Sequence, residues 1–459
     1  MLWEQIKNRM LTHSEQVIEE GETQLTYIEI IGKAEELAQS LKGGRYAIHC
    51  SSELHTGLAI LACFAAGVTA IPLSARYGDL HCKRILKLTA PHYMITDADA
   101  HLSVQQCETV DTTAPDTDCA LIMCTSGTTG TPKGAMITEK NLVANLSDID
   151  RYLDLRCSDT ILITRPLYHC AVLTGEFLIS LLRGTHIRFY TQTFNPAALA
   201  YQLQNDITVT CATPTMLTLL ARVAERVADH YPLRLIVSSG ERMTKENAAA
   251  IRRSFPEARI MNVYGLTEAS PRVAYLPPEL FDSCPEFVGF PLHSVAAKIV
   301  DGGNAEVPRG TDGELILRGP SIMSGYYRAP DATCNALKDG WLHTGDIAYI
   351  DKDGKISIRG RKDDMIILAG MNIYPHEIES ALCEDERITE VLAYSARDKA
   401  GHRHIAVRVV ADGLTKENIF EICRKRLPAY EQPTMVELAD RLPRNASGKL
   451  FRPKGEVQI

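Results

Sequence analysis

The sequence predicts an α/β protein: a large N-terminal domain of helix-covered sheets with a β-rich subdomain, then a small α+β C-terminal domain. Three observations carry this. Short apolar runs alternate with helical stretches from Thr26 to Pro271, the pattern of parallel strands covered by helices. After Pro278 the texture turns strand-like and rich in glycine turns. A charged break, Gly360-Arg361-Lys362-Asp363-Asp364, then precedes a shorter mixed stretch. A chain of 459 residues exceeds one ordinary core, so more than one domain is expected. The boundary is set at the charged break, giving domains 1–361 and 362–459.

Taken in order, Thr26 is placed to cap a helix with apolar residues at Ile30, Ile31, Ala34, Leu37, Ala38 and Leu41, and Gly43-Gly44 end it. Arg45–Cys50 reads as a strand. From His55 up to Arg76 no residue carries a full charge, which is nearly long enough for a membrane span. The segment is rich in Ala and Gly and ends in Ile71-Pro72-Leu73, so it reads as a buried helix turning into a buried strand. Further strands are expected at Tyr93–Thr96, Ala120–Cys124, Thr160–Thr164, Ile187–Tyr190, Thr208–Ala212, Leu233–Val237 and Ile260–Tyr264. The β-rich section contributes Ala296–Val300 and Gly313–Leu317. The last stretch contributes strands at Glu390–Tyr394 and His404–Val410 and a helix at Lys416–Arg426.

Hydrophobic residues make up 45% and charged residues 23% of the chain, the balance of a soluble globular protein. A net charge of −8 gives no general attraction to nucleic acid or anionic lipid. The 13 cysteines are scattered singly with no Cys-x-x-Cys pair. That pattern points to reduced thiols in a cytoplasmic protein, not to a disulfide framework or a zinc site. Met1–Glu20 lacks the apolar core of a secretion signal. No membrane span is expected.

The strongest local signal is Cys124-Thr125-Ser126-Gly127-Thr128-Thr129-Gly130-Thr131-Pro132-Lys133-Gly134, directly after an expected strand. The glycines let the backbone turn its N–H groups towards an anion. The threonine and serine hydroxyls add donors, and Lys133 adds a positive charge. The order does not fit the Walker pattern. A phosphate-binding loop is the reading.

This loop resembles the signature loop of the adenylate-forming superfamily, which holds acyl-CoA synthetases, aryl-CoA ligases, peptide-synthetase adenylation domains and firefly luciferase. Thr125, Ser126, Gly127, Thr128, Thr129, Gly130 and Lys133 are assigned to phosphate on that resemblance. Other motifs of the family come in order across nearly the whole chain. Pro166-Leu167-Tyr168-His169 resembles its Pro-Leu-Phe-His segment, which implies that His169 positions the substrate carboxylate. Ser238-Ser239-Gly240-Glu241 is similar to the adenine-side loop, with Ser239 replacing a glycine. Asn262-Val263-Tyr264-Gly265-Leu266-Thr267-Glu268 resembles the segment in which tyrosine stacks on adenine, threonine contacts phosphate and glutamate holds magnesium. One such carboxylate suits magnesium, which completes its octahedron with phosphate oxygens and water.

Asp346, in Trp341-Leu342-His343-Thr344-Gly345-Asp346, resembles the aspartate that grips both ribose hydroxyls, and Arg361 resembles the second ribose ligand. Asp363 falls where the family places a hinge. Gly370 resembles the loop lining the thiol tunnel. Pro443-Arg444-Asn445-Ala446-Ser447-Gly448-Lys449 matches the C-terminal motif whose lysine is catalytic. The resemblance thus implies a mobile C-terminal domain carrying Lys449.

In function, the resemblance implies an acid–thiol ligase that uses ATP and Mg2+, forms an acyl-adenylate and passes the acyl group to a thiol. Tyr168, Ala171, Thr174, Met216, Ser238 and Leu266 fall at the family's acyl pocket. No acidic residue follows His169 where amino-acid-activating members place one, so an aromatic or medium-length aliphatic acid is expected. Coenzyme A is the expected acceptor, and the phosphopantetheine arm of an acyl or aryl carrier protein is the alternative. No carrier domain is expected within these 459 residues. An oxidative, luciferase-like enzyme is one rival class. A non-catalytic nucleotide-binding regulator is another, opposed by the presence of Lys449, Glu268 and Asp346.

Overall fold

A computed structural model describes residues 2–75, 79–98, 101–107, 119–125, 132–368, 371–397, 403–444, 450, 452–453 and 457–458. The chain divides into two compact units. The first comprises Met1–Ala297, Ile316–His343 and Gly354–Ile356; the second comprises Lys298–Leu315, Thr344–Asp353 and Ser357–Ile459.

Two sheets build the first unit. The nine-stranded sheet runs in the order Phe290–Pro291, Arg272–Leu276, Arg259–Gly265, Leu235–Ser239, Val209–Ala212, Thr160–Ile163, His186–Phe189, Val17–Glu20, Thr23–Thr26. From Arg259–Gly265 to Val17–Glu20 every neighbouring pair is parallel, and antiparallel strands close both edges. The seven-stranded sheet runs Gly325–Tyr326, Lys133–Ile137, Leu121–Thr125, Thr69–Pro72, Arg45–His49, Tyr93–Ala98, His101–Gln106.

Side-chain alternation explains how helices cover both faces of the larger sheet. Ile163, Cys211, Val237 and Met261 join one apolar cluster, which also takes in the smaller sheet and the helices Leu2–Leu11, Tyr27–Ser40, Glu53–Ala66 and Glu139–Tyr152. Their neighbours Leu162, Ala212, Ile236 and Ile260 point to the opposite face. There they join helices Pro196–Leu203, Pro214–Val227 and Lys245–Ser254 in a second cluster. Helix Glu53–Ala66 in this layer is buried nearly all round, which is why the uncharged stretch after His55 is core. It forms helix Glu53–Ala66 and strand Thr69–Pro72, whose residues are almost all buried. Among the described residues no helix is long and apolar enough to cross a membrane.

Local signals set the helix ends. Thr26 accepts from the Glu29 amide while the Glu29 carboxylate accepts from the Thr26 amide, a reciprocal cap. Ser52 caps helix Glu53–Ala66 by accepting from the His55 amide, and Gly67 ends it in the left-handed region at φ 67°.

In the β-rich part, strands Ala296–Val300, Gly313–Arg318, Trp341–Ile350 and Leu337–Lys338 lie in that order, with Ile356–Arg361 against Trp341–Ile350. The C-terminal part carries a four-stranded sheet, Met435–Leu438, Arg403–Ala411, Ile388–Arg397, Val457–Gln458. Helices Pro375–Cys383 and Lys416–Arg426 share its apolar cluster.

Candidate active site

The parallel strands end where the motifs begin. Thr160–Ile163 leads into Arg165–His169, Leu235–Ser239 into Gly240-Glu241, and Arg259–Gly265 into Thr267-Glu268. Ligands of open α/β sheets bind outside the carboxyl ends of such strands. The register Ser239↔Val263 places the second and third loops side by side.

The strand that leaves the glycine-rich loop, Lys133–Ile137, is joined to the Thr267–Ala269 turn by a third segment. Gly325–Tyr326 pairs antiparallel with it, and the Tyr327 amide donates to the Gly134 carbonyl at 2.8 Å. The Met323 amide donates to the Glu268 carbonyl at 2.9 Å. Tyr326 completes the link with its side chain. Its hydroxyl donates to Glu268 Oε1 at 2.7 Å, and its ring centroid lies 5.1 Å from Lys133 Nζ. A cation over an aromatic face contributes ~0.5–1 kcal/mol at exposed sites. The lysine and the glutamate are thus positioned by one side chain. Thr125 Oγ1 donates to the Lys133 carbonyl at 3.4 Å across the base of the loop. Ser126, Gly127, Thr128, Thr129 and Gly130 lie outside the described residues.

Gly265 has a steric role. A Cβ there would meet the Pro271 carbonyl oxygen at 2.2 Å, because the chain doubles back beneath the Leu266–Glu268 turn. The Leu266 amide donates to that same carbonyl at 2.9 Å. Tyr264 and Leu266 flank the glycine and are half-buried. Glu241 accepts from the Thr215 amide at 3.2 Å, one residue before Met216. Asn262 donates to the Pro285 and Phe287 carbonyls at 3.2 and 3.0 Å. Ser238 is in register with Asn262 and is fully buried.

His169 precedes helix Cys170–Val172, and its carbonyl accepts the Val172 and Leu173 amides, each at 2.9 Å. Its ring lies 4.1 Å from that of Tyr168. The Leu167 amide donates to Glu53 Oε2 at 2.8 Å, fixing the turn. The helix then widens into a π-turn over Leu173–Leu178, in which Thr174 and Glu176 are fully buried. Such wide turns recur at functional sites. Glu176 Oε1 accepts from Arg165 Nη2 at 2.7 Å, and the same Nη2 donates to Ser239 Oγ at 3.0 Å. The pair therefore ties the turn to the expected adenine loop. Burial pushes the Glu176 carboxyl above the usual carboxylate range, and Arg165 and Arg272 pull it back.

In the second unit the two expected ribose ligands meet. Arg361 Nη1 donates to Asp346 Oδ1 at 3.1 Å and to the Thr344 carbonyl at 2.8 Å. Gly345, at φ 70°, lets the chain turn there, and a Cβ would come within 2.9 Å of Arg361 Nη2. Asp363 sits in the turn Lys362–Asp364 just after this strand. Gly370 and Lys449 lie outside the described residues.

Among the described residues no group of three or more His, Cys, Asp or Glu could hold a metal ion by itself. A magnesium ion carried mainly by phosphate oxygens and one carboxylate needs no such group. Glu268, with Oε1 held by Tyr326, fits that mode. Sequence reasoning missed Tyr326, Arg165, Glu176 and Arg272. An arginine and a glutamate inside apolar runs were the available signal for Arg165 and Glu176; Tyr326 gave none, because its role depends on strand pairing.

The first unit brings loops to one sheet end and links Lys133 to Glu268, and the second by itself pairs Asp346 with Arg361, each the kind of local arrangement expected of a nucleotide-dependent enzyme. Two family matches agree with this: AMP-binding enzyme over residues 104–327, and AMP-binding enzyme C-terminal domain over 377–449. The chain belongs to this adenylate-forming superfamily. Within it, the protein is an acid–thiol ligase of the AMP-forming type. It is 31% identical to a feruloyl-CoA synthase of Amycolatopsis sp over 486 aligned residues, covering 99% of this chain and 98% of that one. It is 33% identical to a long-chain-fatty-acid–CoA ligase of Escherichia coli O6:H1, covering 80% of this chain and 67% of the relative. The fold matches MenE of Bacillus subtilis, solved with the acyl-adenylate intermediate OSB-AMP, at a TM-score of 0.85 and 25% identity over 99% of each chain.

Proposed function

We propose that this ligase activates an aromatic or medium-length aliphatic acid with ATP and Mg2+ and transfers the acyl group to coenzyme A. The observation that carries the reading is the Lys133–Tyr326–Glu268 link, which joins two distant phosphate-side motifs through one side chain. The similarity to ligases of aromatic and aliphatic acids supports both the acid class and the acceptor. The 13 free cysteines support a cytoplasmic setting.

The acid is already ionised at neutral pH, so adenylation needs no general base. The obstacle is an anion attacking an anionic α-phosphate, a repulsion of several kcal/mol at about 4 Å and an effective dielectric of about 20. Oriented donors and cations offset it. Lys133 and the loop after Thr125 bind the outer phosphates, and His169 orients the carboxylate. Glu268 would hold the magnesium ion, which when bound would supply positive charge on the phosphate side. Tyr264 stacks on adenine beside Ser239, Gly240 and Glu241, and Asp346 with Arg361 holds the ribose. Lys449 bridges the carboxylate and the α-phosphate. For the second step the C-terminal domain turns about Asp363, withdrawing Lys449 and presenting the Gly370 loop to the thiol. This is hinge motion that uses one domain twice.

The test is pyrophosphate release from ATP and Mg2+ with a panel of acids, using hydroxylamine to trap the adenylate. Acid-dependent release is expected, and Lys449→Ala should abolish it while ATP binding persists. Release that is independent of acid would remove the reading. Addition of coenzyme A or of a carrier protein then tells the two acceptors apart.

A further inference from the structure

Arg272 is out of place for a residue with no partner. The residue is 2% exposed, and among the described residues its buried Nε–H has no hydrogen-bond partner. Its main-chain groups are satisfied by Asn145, which accepts from the Arg272 amide and donates to the Arg272 carbonyl. Only the charged end is left over. A guanidinium keeps its proton under all ordinary conditions, so it cannot escape the cost of burial by becoming neutral. That cost is large for an unpaired charge. No neighbouring carboxylate accepts a hydrogen bond from the buried Nε–H of Arg272 among the described residues. Glu176 is the carboxylate facing both arginines. Its Oε1 is taken by Arg165, and its Oε2 has no partner. Of the two guanidiniums only Arg165 is hydrogen-bonded to this carboxylate, and the Arg272 Nε–H is left without a partner among the described residues. Glu268 and Asp148 act on the same neighbouring groups as Arg272, but neither is hydrogen-bonded to it.

Position gives this unpartnered guanidinium a meaning. A Cβ on Gly175 would lie 2.7 Å from both Arg272 Nε and Nη2, so the guanidinium rests against the backbone of the π-turn, beside Thr174. Gly175 is six residues beyond His169 on the same helical segment. At the α-helical rise of ~1.5 Å per residue that is at most roughly 9 Å along the segment, since its π-turn is wider and shorter per residue. If His169 marks the reacting carboxylate, Arg272 marks the far end of the acyl group.

We propose that the far end of the acyl pocket, formed by Arg272 with Gly175 and Glu176, binds a second anionic group on the acid. The preferred substrate is thus a dicarboxylic acid, or an acid with an equivalent terminal anion, whose two groups stand roughly 9 Å apart or a little less. This rests on the adenylation reading and narrows its substrate class. The guanidinium gains a partner only when such an acid is bound. An acid with an apolar end leaves it buried and unpaired, which discriminates against that acid.

Two measurements test this on the full-length protein. The first compares kcat/KM for adenylation of straight-chain α,ω-dicarboxylates with that for monocarboxylates of equal length. The wild-type enzyme should favour the dicarboxylate of matching length by about 10-fold or more, the effect of one charge-assisted hydrogen bond. Arg272→Met, which fills the space without the charge, should lose this preference or invert it, and Arg272→Lys should retain part of it. The second measures calorimetric binding of the same free acids in the presence of AMP. Equal or tighter binding of the monocarboxylates to the wild type would overturn the inference with no variant needed. Dicarboxylate binding that depends on Arg272, without pyrophosphate release from any acid, would uphold the inference and sink the adenylation reading instead.

Discussion

At the scale of single residues, Gly265 is the position where one methyl group does the most damage. Its Cβ would sit 2.2 Å from a backbone oxygen that has no freedom to move aside. Gly265→Ala should displace the Leu266–Glu268 turn and cost about 1–3 kcal/mol, as overpacking does. Urea unfolding would read the stability loss, and a rise in KM for ATP would read the shifted turn. Tyr326 makes a different prediction, because it touches two functional groups without being one. Tyr326→Phe keeps the ring over Lys133 and removes the hydrogen bond to Glu268. Loss of a partner that orients a metal-binding carboxylate typically costs 10–100-fold. The magnesium concentration for half-maximal pyrophosphate release should rise by about 10-fold, with thermal stability little changed. Manganese binding followed by electron paramagnetic resonance should weaken in parallel. An unchanged metal dependence would reduce Tyr326 to a packing role.

At the scale of elements, the helix between the two sheets holds the first unit together. Helix Glu53–Ala66 is buried along nearly its whole length, and Leu61 is fully buried in the cluster that joins both sheets. Leu61→Ala should cost about 2–5 kcal/mol, the range for deleting a buried leucine side chain. The midpoint of denaturant unfolding checks it. This helix also serves the site, since Glu53 in its first turn accepts from the Leu167 amide, two residues before His169. The cap Thr26 is legible from sequence because its partner Glu29 is local. Helix Leu2–Leu11 and the hairpin Val17–Glu20 with Thr23–Thr26 escaped the sequence reading. The first strand of that hairpin pairs parallel with His186–Phe189, far along the chain, and the second closes the edge. A mostly polar edge hairpin of this kind has no apolar run to announce it.

At the scale of the whole molecule, the proposed turn about Asp363 separates the two half-reactions. Proline fixes φ and removes the amide donor. Asp363→Pro should therefore leave acid-dependent pyrophosphate release within a few-fold of wild type while lowering thioester formation by at least ~100-fold, as expected when a gating step is blocked. Thioester yield from preformed acyl-adenylate and coenzyme A checks it. Thioester formation at the wild-type rate would show that position 363 is not the hinge.

The sequence by itself determined the fold class, most of the central strands and the order of the nucleotide motifs. These depend on local chemistry: apolar runs of strand length, glycines where the backbone must bend, caps whose partners lie three residues away. It also pointed to Asp346 and Arg361, which the structure brings to 3.1 Å of each other. Only the tertiary structure decided what stands between the motifs. Tyr326 reaches Glu268 because strand Gly325–Tyr326 lies on Lys133–Ile137. Arg165, Glu176 and Arg272 come together because a π-turn, the end of one strand and the start of the antiparallel strand Arg272–Leu276 converge. In the sequence each of the three is an ordinary charged residue. Their meaning comes from burial: two guanidiniums and a carboxylate are removed from water together, and only Arg165 is hydrogen-bonded to that carboxylate while the Nε–H of Arg272 is left without a partner among the described residues.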